Sequence, residues 1–167
     1  MKPTLPTAEA WTALEAAVEL HERELISFAF RMTGREDVAR DCLQDALVRA
    51  VTAISEGARP ENVRPWLYRL AYNAVIDRLR RASVEERALG RLAAAEASRE
   101  GPAPDLERLA EGLPAPYREI VYLRYAYDFS YPEMEAILGM PAATLRVYAA
   151  RVLERIQKKI REEGHGV

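Results

Sequence analysis

Apolar positions recur at helical spacing from close to the start of the chain. From Thr7 onward, Trp11, Leu14, Ala17 and Val18 fall on one side of a helix and Glu9, Glu15, Glu19 and Glu22 on another, and Leu25, Ile26, Phe28, Ala29 and Met32 continue the apolar stripe. Thr33-Gly34 predicts a stop, and Glu36 and Asp37 sit where carboxylates favour the start of the next helix. That second helix is expected to run to about Ile54, with Val38, Cys42, Leu43 and Ala46 inward and Arg40, Asp41, Gln44, Asp45 and Arg49 on a polar side, either solvated or a docking surface. Residues 55–63 hold Gly57 and Pro60 and predict a loop. It leads into RPWLYRLAYNAVIDRLRR (64–81), where Leu67, Leu70, Ala71 and Ala74 make an apolar stripe while Trp66, Arg69, Asn73 and Arg80 recur on a different side.

The stretch 82–105 is rich in Ala, Glu and Arg and is broken by Gly101, Pro102 and Pro104, the composition of a linker carrying a transient or partner-stabilised helix. After Leu106, Leu109 and Leu113, the run YREIVYLRYAYDFSY fits a helical face through Tyr117, Ile120, Val121, Leu123 and Arg124 better than it fits strand alternation. Ser130 to Glu133 spells a capping box with Pro132 in the first turn of a short helix, Gly139 ends that helix, and Pro141 opens another almost at once. Helix, tight turn, helix is the spacing of a helix-turn-helix. In the last helix Leu145, Ala149, Val152, Leu153, Ile156 and Ile160 are expected to be buried, opposite Thr144, Val147, Arg151, Arg155 and Lys158.

Composition narrows this picture. The 167 residues are 49% hydrophobic and 30% charged, enough for a core in one domain or two small ones, and inconsistent with wholesale disorder. No apolar run approaches the roughly 20 residues that cross a bilayer, and MKPTLPTAEAW lacks the apolar core of a signal peptide, so a cytoplasmic protein without membrane insertion is expected. Cys42, the single cysteine, is expected to be buried, and His21 and His165 exposed. With no Gly-rich phosphate loop and so few nucleophiles, no catalytic residue, metal site or cofactor is expected. The net charge of -2 is very uneven: residues 64–81 carry +4 and residues 144–161 carry +5, while every other block is acidic. Two compact basic helices on an acidic chain suggest two separate contacts with a polyanion. Trp, Arg and Asn on one stripe suit nucleic acid, since arginine pairs with phosphate, asparagine reads a base edge and tryptophan stacks.

Both halves together resemble the extracytoplasmic-function (group IV) sigma factors of bacterial RNA polymerase, in the sigma-70 family. DCLQDALVRAV (41–51) and 64–81 carry the resemblance in the first half and LPAPYREIVYLRYAYDFSYPEMEAILGMPAATLRVYAAR (113–151) in the second. It implies an all-α protein of two small helical domains, a sigma domain 2 bundle (1–81) and a sigma domain 4 helix-turn-helix (106–167), joined by a flexible linker (82–105). It implies that Asp41, Gln44, Asp45 and Arg49 grip the beta-prime clamp helices of core RNA polymerase. Loop 55–63 and Asn73 would hold a flipped base of the -10 promoter element, with Trp66, Arg69, Arg78, Arg80 and Arg81 melting and holding that strand. Thr144, Arg146, Val147, Tyr148, Arg151 and Arg155 would read the -35 element. The beta flap and an anti-sigma factor are further implied partners. Tyr148 and Ala150 stand where the family commonly has basic residues, and the short helix that often precedes the family's first long one is not expected here. A decoy that sequesters an anti-sigma protein would keep the fold but lose the basic faces. A stand-alone helix-turn-helix repressor would leave the first half unexplained.

Overall fold

A computed structural model describes residues 8–89 and 104–164, with side chains over 8–85 and 106–164. Every regular element among them is helical, and the chain divides into two compact units, 1–98 and 99–167. The expected linker residues 90–103, together with His165, lie outside the described residues.

The first unit packs three helices, α1 (Ala8–Thr33), α2 (Glu36–Ser55) and α3 (Val63–Leu89). Gly34, at φ 68°, accepts the left-handed conformation that ends α1, and its N–H reaches the Phe30 carbonyl at 2.7 Å. The expected inward positions of α2 are buried, and Cys42 is 2% exposed. Burial pushes the Cys42 thiol above its ordinary pKa, and the Asp45 carboxylate adds to the effect, which leaves the thiol unreactive. On α3 Leu67, Ala71 and Ala74 are buried as expected, while Leu70 is half-buried. The larger contribution comes from Tyr68 and Val75, each fully buried. Tyr68 packs its ring 5.3 Å from that of Phe28 and donates its hydroxyl to Glu24 Oε2 at 3.0 Å, so one residue ties α3 to α1 by packing and by a hydrogen bond. The same carboxylate lies 3.4 Å from His21 Nδ1 and 3.5 Å from Arg64. His21 is therefore drawn into the α1–α3 seam, with its side chain only 15% exposed rather than free in solvent. Helix α3 continues to Leu89, eight residues beyond Arg81, where the first domain was expected to end; alanine, glutamate and arginine there are all good helix formers.

The second unit contains α4 (Pro104–Ala110), α5 (Ala115–Val121), α6 (Tyr131–Leu138) and α7 (Ala142–Gly164). The expected helix over the tyrosine-rich run forms, but its second half widens into a π-helical turn, Tyr122–Ala126. The Tyr127 N–H bonds to the Tyr122 carbonyl at 3.1 Å, and the wider turn lets Tyr122, Leu123, Tyr127 and Phe129 all reach the core. Asp128 then takes φ 55°, a left-handed conformation that aspartate tolerates. The capping box at the start of α6 is complete: Ser130 accepts from the Glu133 N–H at 3.3 Å and Glu133 accepts from the Ser130 N–H at 2.8 Å. Ser130→Ala is expected to destabilise this unit by about 1 kcal/mol. Both tryptophans, Trp11 and Trp66, lie in the first unit, so the loss should appear in a urea titration followed by far-UV circular dichroism and leave the tryptophan-emission transition in place.

The buried stripe of α7 is shorter than its apolar spacing suggests. Leu145, Ala149 and Val152 are buried, but Leu153 is 42% and Ile160 49% exposed and Ile156 is half-buried. The buried positions of α7 all lie in its first half; α4 meets the second half through polar contacts, Arg108 pairing with Glu163 at 2.9 Å and its carbonyl accepting from Lys159 at 2.9 Å, which leaves Leu153 and Ile160 without an apolar cover.

Candidate functional site

Helix α3 is apolar on the side that meets α1 and α2, and its opposite side carries the expected Trp, Arg and Asn positions. Arg69, Asn73 and Arg80 are exposed and Trp66 is half-buried, and intervals of three, four and seven residues keep them on one face. No side chain among the described residues pairs with Arg69, Asn73 or Arg80, so their donors point to solvent with their hydrogen-bonding capacity intact. Arg78 and Arg81, expected on the same surface, lie elsewhere. Both are exposed, but at 100° per residue Arg78 stands about 160° and Arg81 about 100° around α3 from Arg80. The structure therefore splits the six expected strand-binding residues into a group of four and a group of two.

The loop between α2 and α3 borders a mostly apolar cleft of about 210 Å³ lined by Leu14, Ile54, Arg59, Pro60 and Val63. Asn73 is not part of that lining; ten residues beyond Val63, it stands about 15 Å further along α3.

On α2, Asp41, Gln44 and Asp45 are exposed and share one face. Next along that face is a residue that the polar pattern concealed: Val48, 65% exposed, with Val51 at 45% beside it. An exposed apolar pair beside a polar row suits a protein–protein contact, and Val48 was legible from its position three after Asp45 and four after Gln44. Arg49 sits on the flank, where its guanidinium meets Asp77 of α3 at 3.0 Å, an exposed pair that orients two helices and contributes under about 1 kcal/mol.

In the second unit α6 and α7 bend by 104° across Gly139–Pro141, and Gly139 supplies the required left-handed turn at φ 71°. The backbone N–H of Ala142, in the first turn of α7, donates to Glu135 Oε2 at 2.7 Å, so a carboxylate of α6 caps α7. Of the six expected reading residues, Arg146, Val147, Arg151 and Arg155 are exposed and Thr144 and Tyr148 are half-buried. Tyr148 meets the Tyr117 ring edge-on, centroids 5.3 Å apart. The arginines lie against tyrosines: Arg146 is 5.2 Å from the Tyr131 ring, Arg151 6.0 Å from Tyr148 and Arg155 4.9 Å from Tyr117. Sequence spacing alone did not reveal Tyr117 and Tyr131, which lie in other helices.

Two helical units, one a capped helix-turn-helix with an arginine-bearing second helix, define a nucleic-acid-binding regulatory protein of the transcription class. The family model "Sigma-70 region 2" matches residues 17–84 and "Sigma-70, region 4" matches residues 104–156. The chain belongs to the sigma-70 family, and within it to the ECF group of RNA polymerase sigma factors, which are not enzymes. It is 31% identical over 147 residues to the ECF RNA polymerase sigma factor EcfG of Rhodopseudomonas palustris (strain TIE-1), covering 84% of this chain and 81% of that protein. To the ECF RNA polymerase sigma factor SigW of Bacillus subtilis (strain 168) it is 26% identical over 167 residues, 87% of each. The fold is similar to that of the sigma factor RpoE solved in complex with the anti-sigma factor NepR from Bartonella quintana, with TM-score 0.71, 24% identity and coverage of 88% of this chain and 96% of that one. It is also similar to CnrH solved with the cytosolic domain of CnrY, with TM-score 0.63, 23% identity and coverage of 92% and 95%. No single helix among the described residues is long and apolar enough to cross a membrane, and no group of histidine, cysteine and acidic side chains among them is placed to hold a metal.

Proposed function

We propose that this sigma factor recruits core RNA polymerase through the Asp41, Gln44, Asp45 and Val48 face of α2, separates the strands at the -10 element with α3, and reads the -35 element with α7. One observation supports the reading above others: each unit presents an exposed helix face whose arginines have no carboxylate within ion-pair distance among the described residues, Arg69 and Arg80 around Asn73 on α3 and Arg146, Arg151 and Arg155 on α7. An unstacked strand needs cations for its phosphates and a stacking or hydrogen-bonding partner for its bases, which Trp66 and Asn73 offer. A duplex needs a helix that enters the major groove, which α7 offers. On this reading 1–81 forms the polymerase-binding and -10 domain and 106–167 the -35 domain, with the intervening chain passing through the polymerase. An anti-sigma protein is a further proposed partner, because the two solved relatives carry one or a cytosolic partner domain in their complexes. The decoy reading is disfavoured by the same cationic faces.

The test is run-off transcription with purified core polymerase and a promoter library. Specific initiation at a shared -10/-35 pair is the expected result; absence of both core binding and specific initiation would overturn the assignment and favour the decoy. Within that assay Asn73→Ala is expected to reduce discrimination among -10 sequences by roughly tenfold, the scale of about 1–3 kcal/mol for a lost base contact, while core affinity is retained. Equal loss of core affinity would remove Asn73 from the base-binding role.

A further inference from the structure

We propose that Arg146 and Arg155 are the two phosphate-gripping arms of α7, held ready by the rings of Tyr131 and Tyr117, and that neither arm reads a base. The inference rests on the reading that α7 enters duplex DNA, and it divides the α7 residues between two tasks.

Geometry separates the arms first. Nine residues at 100° each place Arg146 and Arg155 about half a turn apart around the helix and about 13 Å apart along it. Leu145, Ala149 and Val152 face the core, so the two arginines stand on opposite flanks of the exposed surface, with Val147 and Arg151 between them. A helix about 10–12 Å wide fills a major groove about 12 Å wide. Its outward face then meets base edges while its flanks meet the two sugar-phosphate strands.

The chemistry of the arms agrees with this placement. No carboxylate among the described residues lies within ion-pair distance of Arg146 or Arg155, in contrast to Arg108 with Glu163 and Lys158 with Glu162 in the same unit. Each guanidinium instead lies over a tyrosine ring, Arg146 at 5.2 Å from Tyr131 and Arg155 at 4.9 Å from Tyr117. A ring restrains a guanidinium through its flat face and leaves the N–H donors at its edge unspent, along with the full positive charge. The Tyr131 ring is itself braced: Arg124 lies 5.3 Å from it, and Arg124 donates to the Phe129 carbonyl at 3.2 Å and lies 3.7 Å from Asp128. Tyr131 also follows immediately on the capping-box serine, which fixes its backbone. A long side chain ordered before it meets its ligand loses less freedom on binding. Tyr131 and Tyr117 are thus positioning residues.

The test uses the full-length chain bound to core polymerase, with affinity for promoter DNA measured across a salt series and -35 preference measured by selection from a randomised duplex library. Arg146→Gln and Arg155→Gln are each expected to flatten the slope of log affinity against log salt by about one while leaving the selected sequence unchanged. Arg151→Gln is expected to alter the selected sequence. Tyr131→Phe and Tyr117→Phe, which keep the ring, should match the wild type, whereas Tyr131→Leu and Tyr117→Leu should reproduce much of the corresponding arginine loss. The proposal is overturned if either arginine variant changes the preferred bases at an unchanged salt slope, or if the leucine variants bind with the wild-type slope and affinity. Failure of the wild type to select any -35 sequence would count against the promoter reading instead, and the salt slopes on random duplex would still decide the assignment of the arms.

Discussion

Phe28→Ala is expected to lower the stability of the first unit by about 3–5 kcal/mol, a large share of what a domain of this size possesses. Phe28 is fully buried, and its ring lies 5.3 Å from that of Tyr68, the residue whose hydroxyl also bonds to Glu24. Truncation removes the ring pair, leaves a cavity in the α1–α3 seam and weakens the setting of a hydrogen bond shared by the two helices. Because Trp11 and Trp66 both belong to this unit, tryptophan emission in urea isolates its transition. The midpoint should fall steeply, and the far-UV signal of the second unit should persist beyond it. Loss of initiation at 37 °C would follow from the displaced α3 face, and a midpoint unchanged within error would show that the seam does not depend on the ring pair.

Val48→Asp is expected to weaken capture of core polymerase by about 30-fold or more, the equivalent of about 2 kcal/mol, without lowering the urea midpoint of the first unit. Val48 is 65% exposed, so the free protein gives up almost no packing when it changes. In the proposed complex the same position becomes a dry part of the contact next to Gln44 and Asp45, where a new carboxylate would be desolvated without a partner. Fluorescence anisotropy of labelled protein against core polymerase gives the affinity. Wild-type affinity in the variant would move the polymerase contact away from this face of α2.

Much of the fold was legible because local chemistry and tertiary packing point the same way. Thr33-Gly34, the Ser130 capping box and Gly139 act within a few residues of their own position, and each ends or begins a helix where the sequence places it. Val38, Cys42, Leu43 and Ala46 were readable as the inward side of α2 because that helix is covered along its whole length. Leu153 and Ile160 were misread for the opposite reason. Apolar spacing reports which face of a helix could pack, but burial also requires an apolar neighbour, and α4 meets the far end of α7 through the polar contacts of Arg108 with Glu163 and Lys159. The end of α3 was misjudged through composition, since an Ala/Glu/Arg run serves equally as linker or helix.

By itself the sequence determined the helical class, the two units, the capped helix-turn-helix and the two basic helices, all consequences of short-range periodicity, capping and charge. Tertiary structure decided which of the basic residues act together. It bound Arg49 to Asp77 and set Tyr117 and Tyr131 against arginines 38 and 15 residues further along. Those pairings join side chains from different helices, and their partners are fixed by how the helices cross, which no local window of sequence contains.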